Sequence, residues 1–260
     1  MNTSVSIGEQ LRGWRQRRRL SQLECACEAE ISSKHLSFLE TGRSQPSREM
    51  LLRLAELLEV PLRERNAMLI AAGYAPVFGH RNLEDPALEA PRAAIDRLLK
   101  AMSPYPALAI DRYWNLLTAN EAATRLLAGV APPLLTPPIN VLRLSLHPDG
   151  IATRIVNFSE WRAHLLARLR HQVDLYADPT LGALLNELTE LPQPNLKRPE
   201  PKVSPNSVAV PLQLAHGDRV LSFISTTTVF GTPVDVTLSE IALECFYPAD
   251  NETAEALHAG

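Results

Sequence analysis

Three cysteines in 260 residues are too few and too scattered for a disulfide framework. Cys25 and Cys27 lie two apart in what reads as a helix, so they point in different directions, and Cys245 is remote in sequence. Neither a metal set nor a redox pair is expected from them. No apolar run reaches the ~18 residues a membrane span needs, and no basic stretch leads into an apolar one at the start. Neither span nor secretion is expected, and the expected location is cytoplasmic. P-loop, dinucleotide fingerprint and nucleophile elbow are all missing, so no enzyme is expected. A charge excess of one sign is lacking too. The net charge is −3, which for the chain as a whole does not indicate a nucleic-acid binder.

The charge is unevenly distributed. Residues 1–80 hold 11 Lys and Arg against nine acids, a balance of +2, and the remainder carries −5. At this length, with 45% apolar residues, two domains are expected. The most informative stretch is SQLECACEAEISSKHLSFLETGR, residues 21–43. Ser21 with Glu24 three residues on forms a capping box, so a helix starts there. Leu23, Ala26 and Cys27 form a narrow apolar stripe, continued after a turn by Ile31. Ser32 caps a second helix with Leu36 and Leu39 on one face and Ser33, Lys34 and Ser37 on another. Two short helices joined by a tight turn are a helix-turn-helix. Arg12, Arg15, Arg17, Arg18 and Arg19 precede it against a single nearby acid, Glu9, more than a solvated helix face needs; neutralising DNA phosphates would use such a patch.

At S-Q (21–22), I-S (31–32) and L-E-x-G-R (39–43) the chain resembles the XRE family of repressor-type helix-turn-helix regulators. The resemblance implies phosphate contacts from Gln22, Arg43 and the backbone near Thr41 and Gly42, and base contacts from Ser33, Lys34 and Ser37. Arg15, Arg18, Ser32 and His35 complete the candidate DNA surface, and Glu40 is expected to cap and orient inside the domain. At Glu30 many members have a turn glycine; a left-handed backbone there would cost a glutamate roughly 1 kcal/mol.

Along the chain, Ile7, Leu11 and Trp14 mark a helix before the motif, Ser47 caps one through Val60, and Leu62 to Ala72 makes another ending at Gly73. These make an all-α five-helix domain, residues 1–73, with 74–90 as linker. Residues 91–102 are helical; Ala107–Ile110 and Trp114–Thr118 read as strands around a turn at Asp111 and Arg112, and Asn120 caps a helix. Two proline-rich stretches, 131–138 and 191–205, are expected to be loops or extended. Between them run helices, one starting at Asn157 and Glu160 with the stripe Trp161, Leu165, Leu169 and Val173, another from Leu181 to Leu191. Strands are expected at 208–214, 219–230 (with a Gly217-Asp218 turn) and 234–246, antiparallel in one sheet.

The stretches PALAIDRYWNLLTAN, NVLRLSLHPDG, WRAHLLARLR and VLSFISTTTVFGTPVDVTLSEIALECFYPAD together resemble the MmyB-like ligand-binding domain, a PAS-like α+β module, here over 91–250 with 251–260 as a tail. The resemblance implies a pocket between sheet and helices that in some members holds a fatty acid or similar apolar molecule. Candidate lining residues are Trp114, Leu142, Trp161, Leu165, Phe223 and Thr227, though plain core packing asks for the same residue types. His164 and His171 share a helix face but have no acid or cysteine at metal-binding spacing. The cysteine motif of blue-light sensors is missing, so no cofactor is expected. The expected function is a homodimeric, sequence-specific regulator of a double-stranded DNA operator, sensing a small apolar molecule. The alternative is a constitutive regulator whose second domain only dimerises or binds a protein; that predicts no void among Trp114, Trp161 and Phe223.

Overall fold

The computed structural model describes residues 5–176, 178–194, 209–231, 233 and 235–259. The proline-rich stretch 195–205 and the start of the strand expected from Val208 lie outside these residues. The chain divides into two compact units: residues 1–85 with 231–239, and residues 86–230 with 240–260.

The first unit is built from short helices that each begin on a local signal. Ser6 and Glu9 form a capping box for α1 (Ile7–Arg17), as do Ser21 and Glu24 for α2 (Gln22–Glu28). Ser32 caps α3 (Ser33–Glu40) through the His35 amide, and Ser47 caps α4 (Arg48–Leu57); α5 (Leu62–Ala71) follows Pro61. Leu11, Trp14, Leu36, Leu39, Leu51, Leu54, Leu58, Met68 and Leu69 form the core. The stripe expected on α2 is displaced. Leu23 is 70% exposed and Cys27 is exposed, while Cys25, Ala26 and Ala29 are buried. In so short a helix the small residues let the backbone close on its neighbours, and the larger leucine is left outside. Burial pushes the Cys25 thiol pKa up, which keeps it protonated and unreactive.

The helix-turn-helix bend requires a left-handed residue, and Glu30 takes it at φ +55°. That conformation costs a non-glycine residue ~1–2 kcal/mol, partly offset in a glycine by greater unfolded-state entropy. Glu30→Gly is therefore expected to stabilise the protein by about 0.5–1 kcal/mol in urea denaturation; a loss of stability would show that the Glu30 side chain itself contributes.

The strand expected over 234–246 was to include residues 235–239. Instead Val236–Ser239 form a helical turn, α11, because the Asp235 carboxylate accepts from the Thr237 amide at 2.8 Å and the Asp235 carbonyl from the Ser239 amide at 3.1 Å. Within the first unit this turn is held by Val236 N–H donating to Gly79 O (2.7 Å) and by Arg81 on Asp235 (3.1 Å). The strand starts only at Ala242.

The second unit is α+β. Among the described residues its antiparallel sheet has five strands in the order β2-β1-β5-β4-β3: β1 Ala107–Ile110, β2 Leu116–Ala119, β3 Leu212–His216, β4 Arg219–Val229 and β5 Ala242–Pro248. Gly217, at φ +58°, makes the β3–β4 turn. α6 (Glu89–Ala101) packs by β1, α7 is Glu121–Leu126, and α12 (Asn251–Ala259), formed by residues set apart above as a tail, packs on β4. There Thr253 Oγ1 accepts from Ser222 N–H at 2.9 Å. The helices α8 (Val141–Leu146), α9 (Phe158–Tyr176) and α10 (Pro179–Glu190) bury Leu142, Leu146, Phe158, Trp161, Leu165, Leu169 and Leu181 in one core with Leu212, Leu214 and Phe223 of the sheet.

The β1–β2 connection differs from expectation in one consequential place. Asp111 accepts from the amides of Tyr113 and Asn115, both at 2.8 Å, and this wraps the turn so that Trp114 falls inside it at φ +65°. Trp114 is not the first residue of a strand, and the strand opens at Leu116. A bulky residue at positive φ is unusual and is held here by its surroundings. The Trp114 carbonyl accepts from Val141 N–H at 2.9 Å, and the indole N–H donates to Gln172 at 2.6 Å.

Candidate functional site

The DNA-facing candidates lie on and just after α3. Ser33, Lys34, Thr41 and Arg43 are exposed, and His35 and Ser37 are half-buried. Ser32 is spent in part on its cap, accepting from His35 N–H at 3.1 Å. Phe38, which the sequence reading passed over, sits among them. Lys34 Nζ is 5.7 Å and the Arg43 guanidinium 5.8 Å from its ring centroid, so one aromatic carries two cations. The spacing Lys34, Phe38, one helical turn, was the available signal.

Three candidates are committed elsewhere. Arg15 is 8% exposed and makes a two-pronged bond to Glu40, itself 6% exposed, at 2.5 and 2.9 Å, with a third bond to Leu20 O at 2.8 Å. Gln22 donates to the same carboxylate at 2.8 Å. Arg18 donates to the carbonyls of Leu58 and Glu59, both at 2.8 Å, closing the end of α4. Arg15, on α1, is thereby turned into the interior of the unit, while Gln22 and Arg18, half-buried, give part of their hydrogen bonding to the fold. Arg12, Arg17 and Arg19 remain exposed. Glu40 is the internal orienting group expected of it. Burial alone would raise its pKa; the bonds from Arg15 and Gln22 outweigh that and leave it below the ordinary carboxylate value.

In the second unit a cavity of about 80 Å³ lies between the sheet and its covering helices. Trp114, Leu142, Trp161 and Leu165 line it, as expected; Phe223 and Thr227 do not. Phe223 is fully buried in the core, edge-on to Phe246. Thr227 instead supports the wall, donating to Glu244 at 2.8 Å and accepting from Arg168 at 2.9 Å. Leu108, Leu126, Ile151, Leu212 and Phe246 also line the cavity. Leu108, Leu212 and Phe246 were missed because the face of a strand residue shows only once register is set; Leu126 lies on α7 and Ile151 in a turn.

The wall is apolar apart from a few groups. Arg168 bonds Glu244 at 2.6 and 3.4 Å and stacks on Trp114 at 4.8 Å. Ser145 also borders the space. Trp161 Nε1 is buried and has no hydrogen-bond partner among the described residues. His164 stacks on Trp161 at 5.4 Å, and burial, then the nearby Arg168, lower its pKa, so the ring stays neutral at pH 7. Space, apolar walls and a few polar groups are what small-molecule sites offer.

A helix-turn-helix unit joined to an α+β unit of this kind defines a DNA-binding transcription regulator with a ligand-binding domain. Residues 91–259 match the MmyB-like transcription regulator ligand binding domain, and residues 6–68 match a helix-turn-helix domain. The chain belongs to the MmyB-like transcription regulator family. No match to it was found among curated proteins. Among the described residues no helix is long and apolar enough to cross a membrane.

Proposed function

We propose that this regulator binds its operator as a two-fold dimer with α3 in the major groove, and that a small apolar molecule in the cavity of the second unit changes DNA affinity. Half-sites would then lie about 34 Å apart. The observation that supports sensing is the cavity itself: a domain serving only dimerisation has no use for a void between Trp114 and Trp161, since an empty apolar space forfeits packing. At about 80 Å³ it is roughly half the ~150 Å³ of an apolar cavity that takes up benzene, so a longer chain requires the walls to give. The ligand acts only insofar as it prefers one of two arrangements of the dimer.

The DNA half of the reading is tested with Lys34→Ala and Arg43→Ala. Lys34 on the outer face of α3 reads bases, so its loss is expected to weaken operator binding about tenfold or more and relax sequence preference. Arg43 binds phosphate, so its loss lowers affinity for all sequences and reduces the salt slope by about one. Unchanged binding in both variants across a salt series would refute the recognition surface. The sensing half is tested by mass spectrometry of an organic extract of the purified protein beside a native spectrum. A stoichiometric small molecule whose addition shifts operator affinity supports it. A bound molecule without effect on DNA returns the second unit to a constitutive role.

A further inference from the structure

Resting on that reading of the cavity, we infer that its ligand is uncharged: a small apolar molecule carrying one hydrogen-bond acceptor, such as a ketone or ester oxygen, in preference to a carboxylate. Two features of the wall lead there. The first is an unused donor. Trp161 is 2% exposed, and its Nε1, a donor with no acceptor capacity, has no partner among the described residues. A buried donor is normally satisfied; what completes this one is an acceptor brought by the occupant.

The second is a cation already used. Arg168 is the one Lys or Arg among the described lining residues. Its Nη2 donates to Glu244 Oε1 at 2.6 Å and to Thr227 Oγ1 at 2.9 Å, its Nη1 lies 3.4 Å from Glu244 Oε2, and its face covers Trp114. Thr227 Oγ1 donates to the same carboxylate at 2.8 Å. Glu244, 4% exposed, thus cancels the guanidinium within the wall. A carboxylate ligand would have to displace Glu244 or lie beside it, and like charges in an apolar enclosure repel far more strongly than in water. A neutral acceptor meets Trp161 with neither cost.

The full-length protein is titrated by calorimetry at pH 7 with hexane, methyl butyl ketone and hexanoate, probes of matched bulk. The ketone is expected to bind about tenfold more tightly than hexane, the gain of one satisfied hydrogen bond, and hexanoate more weakly than the ketone. Trp161→Phe should abolish the ketone's advantage over hexane, read as the ratio of the two affinities within the same variant so that the room opened by the smaller ring cancels. Hexane that still binds reports that the cavity is intact. Glu244→Gln frees Arg168 and should raise hexanoate affinity above that of the ketone. If hexanoate binds the unaltered protein most tightly, or Trp161→Phe keeps the ketone's advantage, the neutral-acceptor inference is overturned while the cavity stands as a binding site. If no probe binds, hexane included, the cavity reading itself fails and the inference with it.

Discussion

Glu40→Ala is expected to destabilise the DNA-binding unit by about 3–5 kcal/mol, the cost of removing one partner from a buried ion pair. Arg15 and Gln22 both end on this carboxylate. Its removal leaves a guanidinium and an amide in the interior, with Arg15 retaining only its bond to Leu20 O. Since Glu40 closes α3 while Arg15 sits on α1 and Gln22 opens α2, the three helices that set the recognition surface lose their common anchor together. Hydrogen exchange of residues 5–85 in the whole protein measures the effect, and operator binding should fall with the folded fraction. Exchange protection equal to that of the unaltered protein would show that the pair contributes little.

The same pair sets a pH dependence. The folded-state pKa of Glu40 lies below its unfolded value, so its contribution is present above the unfolded pKa and is lost as pH falls through the folded one. Acid should therefore loosen this unit, and Glu40→Gln should flatten that acid dependence while lowering stability at neutral pH. An acid limb unchanged in Glu40→Gln would assign it to other carboxylates.

Gly150→Ala is expected to cost the second unit about 3 kcal/mol, from overpacking and loss of the bonds around it. A Cβ at this position collides with the carbonyl oxygen of Leu144 and stands 3.1 Å from that of His147. Both are backbone atoms, which no rotamer change can clear. The Gly150 amide donates to His147 O and the Ile151 amide to Leu144 O, each at 2.9 Å. Forcing the strand of chain outward opens the end of α8, and with it Leu142 and Ser145 of the cavity wall. Gly182 in α10 provides the contrast. Nothing lies within 4 Å of its added Cβ, so Gly182→Ala should stabilise by about 0.5–1 kcal/mol through helix propensity. Thermal unfolding of the two variants side by side checks both signs; a Gly150→Ala protein as stable as its parent would mean the α8 turn gives way freely.

Much of this fold was legible because its signals are short-range. The capping pairs Ser21 with Glu24 and Ser32 with the His35 amide lie three residues apart, and the caps at Ser47 and Asn120 and the Gly217 turn are of the same kind. The left-handed demand at Glu30 was suggested by the family resemblance, whose members often have a turn glycine there, and the backbone takes it at φ +55°. In two places a local pattern admitted two outcomes. Leu23 completes an apolar stripe on paper, yet the bundle closes on Cys25, Ala26 and Ala29. Residues 235–241 have the composition of a strand, yet the Asp235 cap makes a helical turn of Val236–Ser239.

The sequence by itself determined where the helices of the helix-turn-helix begin and that a polar, cationic helix follows a tight turn, since each depends on residues within about one turn of one another. It did not show that residues 231–239 join the first unit. Only the tertiary structure decided the chemistry of the sites. Arg15 and Glu40 are 25 residues apart, Trp114 and Gln172 58, and Arg168 and Glu244 76. No periodicity connects such pairs, because their meeting depends on helix packing and strand register. That meeting withdraws Arg15 into the first unit's interior, ties the Trp114 indole to Gln172, and neutralises Arg168 within the cavity wall.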